Sequence, residues 1–267
     1  MKKFFIAAAA MLCGVMCQAG NRTMTVNVAS SFNSIEVSSN IEVEYTLGNK
    51  VDVRVTGDES VIGNISVDVR SKRLVIRYKG NDMNKSAKVF VTGPSLLCID
   101  ISGNVEFTVN GNMSAGPFTA KVHNNAELEL VGINTADVDL EVGDNAEVSL
   151  GAVMCTALKV NASDNGKVHA SSVIGNSIDV TSSDNSEIKL RQVAVSTLHA
   201  SSSDNSNIDL EGCSAQVLFV SSDLSKIEAE SLKANGGSAR AGGMSHIVCR
   251  VAGLKLETSD FGNIRNL

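Results

Sequence analysis

Apolar and polar positions alternate in short runs along most of the chain, and beyond about residue 120 the runs recur with a fixed period. In Ile178-Asp179-Val180-Thr181 and Glu187-Ile188-Lys189-Leu190 every second residue is apolar, the pattern of a strand with one buried face. A polar phrase separates the runs. It reads Ser163-Asp164-Asn165-Gly166, Ser183-Asp184-Asn185-Ser186 and Ser203-Asp204-Asn205-Ser206. Looser copies are His123-Asn124-Asn125-Ala126, Gly143-Asp144-Asn145-Ala146, Ser222-Asp223-Leu224-Ser225, Gly243-Met244-Ser245 and Ser259-Asp260-Phe261-Gly262. The central residues fall at 125, 145, 165, 185, 205, 224, 244 and 261, with spacings of 20, 20, 20, 20, 19, 20 and 17.

Counted from that residue, position plus three is apolar in every copy: Leu128, Val148, Val168, Ile188, Ile208, Ile227, Ile247 and Ile264. Plus five gives Leu130, Leu150, Ala170, Leu190, Leu210, Ala229 and Cys249, and plus eight gives Ile133, Val153, Val173, Val193, Cys213 and Leu232. Pairs such as Val138 with Leu140, Ile178 with Val180 and Leu254 with Leu256 form a further set. Units that bury equivalent faces against one another at constant length predict an all-β, single-stranded parallel β-helix, a β-solenoid of about 20-residue coils with three short strands each. The chirality preference of parallel crossovers makes it right-handed. At about 4.8 Å per coil, eight coils make a rod of roughly 35–40 Å.

The corner residues suit such a turn. Asp and Asn tolerate left-handed backbone angles, Gly and Ser leave room for close stacking, and Asn145, Asn165, Asn185 and Asn205 are placed to form an amide ladder. Residues 20–102 alternate without the strict period, as in Ile35 and Val37, Ile41, Val43 and Tyr45, or Leu74, Ile76 and Tyr78, with turns at Gly48-Asn49 and Gly57-Asp58. This stretch reads as irregular early coils or a β-rich cap, continuous as one domain with the regular coils of 103–267. Asn81 to Ser86 reads as a surface loop. Helix finds almost no support.

Several of these N-terminal segments carry a resemblance. Phe32-Asn33-Ser34-Ile35-Glu36-Val37, Ile41-Glu42-Val43-Glu44-Tyr45, the Gly57-Asp58-Glu59 turn, Leu74-Val75-Ile76, Val89-Phe90-Val91-Thr92 before Pro94, and Ile101-Ser102-Gly103 resemble the head GIN domain family of auto-transporter adhesins. Most of the chain beyond its first nineteen residues is covered. Members commonly carry Ser-Gly-Ser-Gly at the repeated corner, where this chain has Asp-Asn. The resemblance implies an adhesin-like binding or scaffold role, and it brings no catalytic residues with it.

Residues 1–19 read as a secretory signal: Lys2-Lys3, an apolar run from Phe4 to Met16, then Cys17-Gln18-Ala19 as a small-x-small cleavage site. Export to the periplasm, outer surface or extracellular space follows, with lipid anchoring at Cys17 disfavoured because Gly14-Val15-Met16 fits a lipobox poorly. No further apolar run is long enough to span a bilayer. Losing Lys2 and Lys3 takes the formal charge from −6 to −8. With no basic cluster, nucleic acid is excluded as a partner. Trp is absent and aromatics make up 4%, which weakens a carbohydrate cleft without excluding a glycan or a surface protein as the partner.

Candidate chemistry is sparse. Cys98, Cys155, Cys213 and Cys249 are expected as buried free thiols, because Cys155 and Cys213 stand in apolar columns about three coils apart, beyond disulfide reach. Asp144, Asp164, Asp184, Asp204 and Asp223 form an acidic edge. Carboxylates about 5 Å apart repel by about 0.8 kcal/mol per pair in water, which a calcium ion would relieve, although one carboxylate per coil is few ligands and a solvated edge is the plainer reading. An outward column, Glu127, Glu147, Lys167, Glu187, Asn207, Lys226 and His246, has the mixed charge any soluble sheet face needs. His123, His169, His199 and His246 fall at different phases of the repeat, so no metal cluster is implied. The sequence therefore predicts an exported, non-enzymatic solenoid without cofactors. A carbohydrate-active β-helix lyase or hydrolase and a calcium-dependent binding module are the alternatives. The last coil, Leu254 to Ile264, has no capping helix, so either a local fold-back covers it or a second copy docks end to end.

Overall fold

The computed structural model describes residues 17–18, 21–28, 30–80, 87–114 and 116–267. The signal segment 1–19 lies outside them apart from the backbone of Cys17–Gln18, and the Asn81 to Ser86 loop lies outside them altogether. The chain is an all-β parallel solenoid of about eight turns at a spacing of about 20 residues.

The strands Glu147–Ala162, Lys167–Ser182, Glu187–Ser202 and Asn207–Ser221 stack in parallel. The register is the one the repeat requires: Val148 lies over Val168, then Ile188, Ile208, Ile227 and Ile247. Each 16-residue strand forms three ladder runs. In the first they are 147–150, 152–155 and 157–162, so the three expected strands merge through two bends. The plus-three and plus-five columns are buried from Leu128 to Cys249. Apolar surface is removed from water on every rung, and truncating one such residue to Ala, as in Ile188→Ala, would cost about 2–5 kcal/mol.

Corners are where Asp and Asn matter. In the five corners from Asn124-Asn125 to Asp204-Asn205 both central residues have φ between 49° and 67°. The Gly166 N–H donates to the Ser163 carbonyl at 2.7 Å, closing a type I′ turn. Successive corners are tied together as well, with the Asn145 N–H donating to the Asp164 carbonyl and the Asn165 N–H to that of Asp184, each at 3.0 Å.

The N-terminal region departs from simple stacking. On one face the order along the axis is Asn21–Val26, Asp52–Gly57, Ala87–Gly93, Ile41–Leu47, then Val105–Met113; the first two pairings are antiparallel and the rest parallel. On the other it is Ile65–Arg70, Arg73–Tyr78, Ser34–Ser38, Cys98–Ser102, then Phe118–His123, with only the first pairing antiparallel. The turn 34–47 is therefore inserted between the turns 73–93 and 98–113, which follow it in sequence. Tyr45 on this turn stacks on Phe107 with ring centroids 6.2 Å apart, and its hydroxyl donates to the Pro94 carbonyl at 2.5 Å. Gly57-Asp58 opens onto one helical turn, Glu59–Ile62, where the sequence indicated none.

Three expectations need correction. Cys98 is only half-buried, because strand alternation turns Ile99 and Ile101 inward in its place. Cys213 is exposed, because Gly212 takes the inward place between Val193 and Leu232. With φ +134° and a space where an added Cβ would lie 2.2 Å from the Val193 carbonyl oxygen, only glycine fits there, and this coil is one residue shorter. In the last coil Leu256 continues an inward column below Ala239 yet is 52% exposed, because no further coil among the described residues covers it.

Candidate functional site

A groove of about 720 Å³ runs along the stack beside the bend that precedes each third ladder run. One wall is the outward column Thr119, Asp139, Lys159, Asp179, His199 and Leu218, each residue paired in register with the next. The other is Asp137, Ala157, Ser177, Thr197 and Gln216. Six rungs at the parallel-sheet spacing make it about 24 Å long. Charge alternates from Asp139 through Lys159 to Asp179, and His199 Nδ1 lies 3.4 Å from Asp179 Oδ1. Ser177, Thr197 and Gln216 supply hydroxyl and amide groups to the lining. The floor is backbone of the buried column Val138, Leu158, Ile178, Leu198 and Val217, so the polar groups of both walls are evenly spaced along it.

The five corner aspartates, Asp144, Asp164, Asp184, Asp204 and Asp223, are all exposed. What joins their corners is backbone carbonyl and asparagine amide. Asn165 Nδ2 donates to Asn145 Oδ1 at 3.1 Å, Asn145 to Asn125 at 3.4 Å, and Asn125 to Asn104 at 3.3 Å. The bonded ladder thus begins two rungs earlier than the sequence suggested and runs from Asn104 to Asn165, short of Asn185 and Asn205. Among the described residues no group of three or more His, Cys, Asp and Glu side chains is placed to hold a metal. His123 stands 3.7 Å from the Asp144 carboxylate, and the four histidines are not brought together.

The mixed-charge column is continuous from Glu42 through Glu106, Glu127, Glu147, Lys167, Glu187, Asn207 and Lys226 to His246. Its first four members are acidic. Burial, then Glu147, Glu106 and Glu129, push the Glu127 carboxyl above its ordinary value, whereas Lys88 closes the row with contacts of 2.6 Å to Glu42 and 2.5 Å to Glu44.

Two features escaped the sequence reading. Beneath the later corners lie buried serine pairs: Ser182 with Ser186, Ser202 with Ser206 and Ser221 with Ser225, at 2.7 to 2.8 Å. At the central corner position the asparagines give way to Leu224, Met244 and Phe261, which are 56%, 62% and 83% exposed and do not share the positive φ of Asn125 to Asn205. A change of residue class within an otherwise constant column was the available signal for both.

Residues 31–183 match the family described as "Putative auto-transporter adhesin, head GIN domain". The chain belongs to that family. Among solved structures, one described as a "putative adhesin" from Parabacteroides merdae ATCC 43184 aligns over 93% of this chain and 97% of its own, with TM-score 0.71 and 16% identity. Another so described, from Parabacteroides distasonis ATCC 8503, aligns over 90% and 97% with TM-score 0.66 and 19% identity. A "putative lipid binding protein" from the same P. distasonis strain aligns over 93% and 97% with TM-score 0.68 and 14% identity. At these identities the likeness is one of fold. No curated protein matches the chain. Head GIN membership accounts for the stretch that includes the inserted turn and the first corners, and it ends at Ser183, within the groove. No helix among the described residues is long and apolar enough to cross a membrane.

Proposed function

We propose that this chain is an exported, non-enzymatic adhesin-like solenoid that holds a surface protein or glycan lengthwise in the groove between Thr119 and Leu218. One observation supports the reading above the others: hydrogen-bonding side chains of both charge signs recur on successive rungs about 4.8 Å apart. An extended ligand lying along the axis meets a comparable site at each rung, and individually weak polar contacts sum without a deep pocket. Lys159 between Asp139 and Asp179 offsets part of their negative charge, so the groove presents donors and acceptors suited to polar, uncharged chains. Family membership agrees with a binding role at the cell surface.

The test combines labelling of intact cells with binding of the purified chain to arrayed glycans and envelope proteins. Thr197→Arg places a long cation across the groove from an exposed position and leaves the core untouched. Wild type should be labelled on the cells and bind a subset of the array. The variant should bind at least about tenfold more weakly, a loss of about 1.4 kcal/mol, at unchanged melting temperature. Binding indifferent to Thr197→Arg, or cleavage of a bound polysaccharide, would overturn the proposal.

A further inference from the structure

The two ends of the stack differ. At the N-terminal end the stack finishes in antiparallel strands, of which Ile65–Arg70 is paired on one side only, whereas the last coil ends in a parallel strand, Lys255–Thr258, paired to Ser238–Ala241 on one side only among the described residues. The other strand of that coil, Asn263–Asn266, pairs with His246–Val251 and ties itself to that strand through its own side chain. Asn266 Nδ2 donates to the Val251 carbonyl at 2.9 Å, and the Val251 N–H donates to Asn266 Oδ1 at 2.8 Å. Both strands thus keep their far side open among the described residues, and only Lys255–Thr258 carries a self-complementary sequence there.

We propose that the chain forms a two-fold homodimer through this edge, with Lys255–Thr258 of one copy running antiparallel to the same strand of a second copy. The sequence of the edge is self-complementary about Leu256. A dyad there sets Leu256 opposite Leu256, and Lys255 of each copy opposite Glu257 of the other. Backbone direction agrees. The Ser259 N–H donates back to the Ala241 carbonyl, so by strand alternation residues 257 and 255 face the stack while 256 and 258 turn their N–H and C=O groups to the open side. Leu256 thus meets its counterpart as a hydrogen-bonded pair. Lys255 and Glu257 become non-hydrogen-bonded neighbours, the closer arrangement for side chains. Glu257, already 2.6 Å from Arg240, then stands between two cations. A four-residue ladder is short for a stable interface, but the exposed side chains of Leu256, Phe261 and Leu267 surround it with apolar area. Identical patches meeting across a dyad close the assembly at two copies, and unpaired edges of this kind template such pairing.

Sedimentation and light scattering of the full chain should give twice the monomer mass at micromolar concentration. Lys255→Glu sets Glu against Glu, and Glu257→Lys sets Lys against Lys. Both positions are exposed, so each variant should fold and run as a monomer. Mixing the two should restore a dimer containing one copy of each, because every opposed pair is then of opposite sign. A monomeric wild type, an open-ended series of oligomers, or a mixture of the variants that stays monomeric would overturn the inference. Ligand binding in the groove can survive or fail independently of each outcome.

Discussion

The Ser186 hydroxyl lies 2.7 Å from that of Ser182, closed to solvent beneath the Asp184-Asn185 corner. It also donates to the Ala162 carbonyl of the preceding coil at 2.9 Å and accepts from the Ser183 N–H at 3.0 Å. Upstream rungs solve the same corner with apolar pairs, Val122 with Ala126 and Val142 with Ala146. Ser186→Ala should therefore cost about 0.5–1.5 kcal/mol, because only the links through the Ser186 hydroxyl are lost: the Ser183 N–H keeps the Ala162 carbonyl at 3.0 Å and the Ser182 hydroxyl keeps the Ser186 carbonyl at 3.2 Å. The double variant Ser182→Val, Ser186→Ala copies the upstream solution and should recover part of the loss. Shifts of the denaturation midpoint for single and double variants would show the coupling, and strict additivity would contradict it.

Asn165 combines a φ of +67° with a side-chain bond to Asn145. Asn165→Ala should cost about 1–2 kcal/mol from the left-handed backbone alone. Asn165→Gly relieves the backbone and loses only the exposed amide link, so its midpoint should lie nearer wild type. Equal losses in the two variants would mean that the amide ladder, and not the turn, holds the corner.

Glu127 gives a pH dependence with a definite sign. Its carboxyl is raised above the ordinary 4.5, chiefly by burial and then by Glu147, Glu106 and Glu129, so the folded chain binds this proton more tightly than the unfolded one. Its contribution is favourable below 4.5 and is lost as the pH rises through the folded value. Glu127→Gln should accordingly raise the melting temperature at pH 7, with the gain fading toward pH 4. A gain that persists unchanged in acid would point to packing instead.

The cysteines should divide by exposure. Burial raises the thiols of Cys155 and Cys249 to about 11, whereas Cys213 is exposed. Alkylation of the native chain at pH 8, read by peptide mass mapping, should modify Cys213 rapidly and Cys155 and Cys249 only after unfolding. Protection of Cys213 would restore it to the inward column.

Within the regular coils the sequence was a good guide. Ile188, Ile208 and Ile227 had one environment available, and the stack puts all three out of reach of solvent. Cys213 misled because a fixed count ignores one missing residue, which Gly212 absorbs in a backbone conformation denied to its neighbours. The groove was half legible: the phase of Asp139, Lys159, Asp179 and His199 is in the repeat, but the bend that turns the phase into a concave wall depends on where the ladder breaks. Strand order at the N-terminus was not legible. Ile41, Val43 and Tyr45 alternate identically whichever strands lie beside them, and pairing across forty or more residues leaves no local trace.

That strand order makes the rod unequal under load. Tension applied at the Leu267 end can strip the last coils one by one, since each is held by a single neighbour. Near the opposite end, the segment 34–47 is gripped on both sides by later parts of the chain, so freeing it means tearing 73–93 and 98–113 away together. The molecule should unravel in small steps from one direction and resist in a single large one from the other.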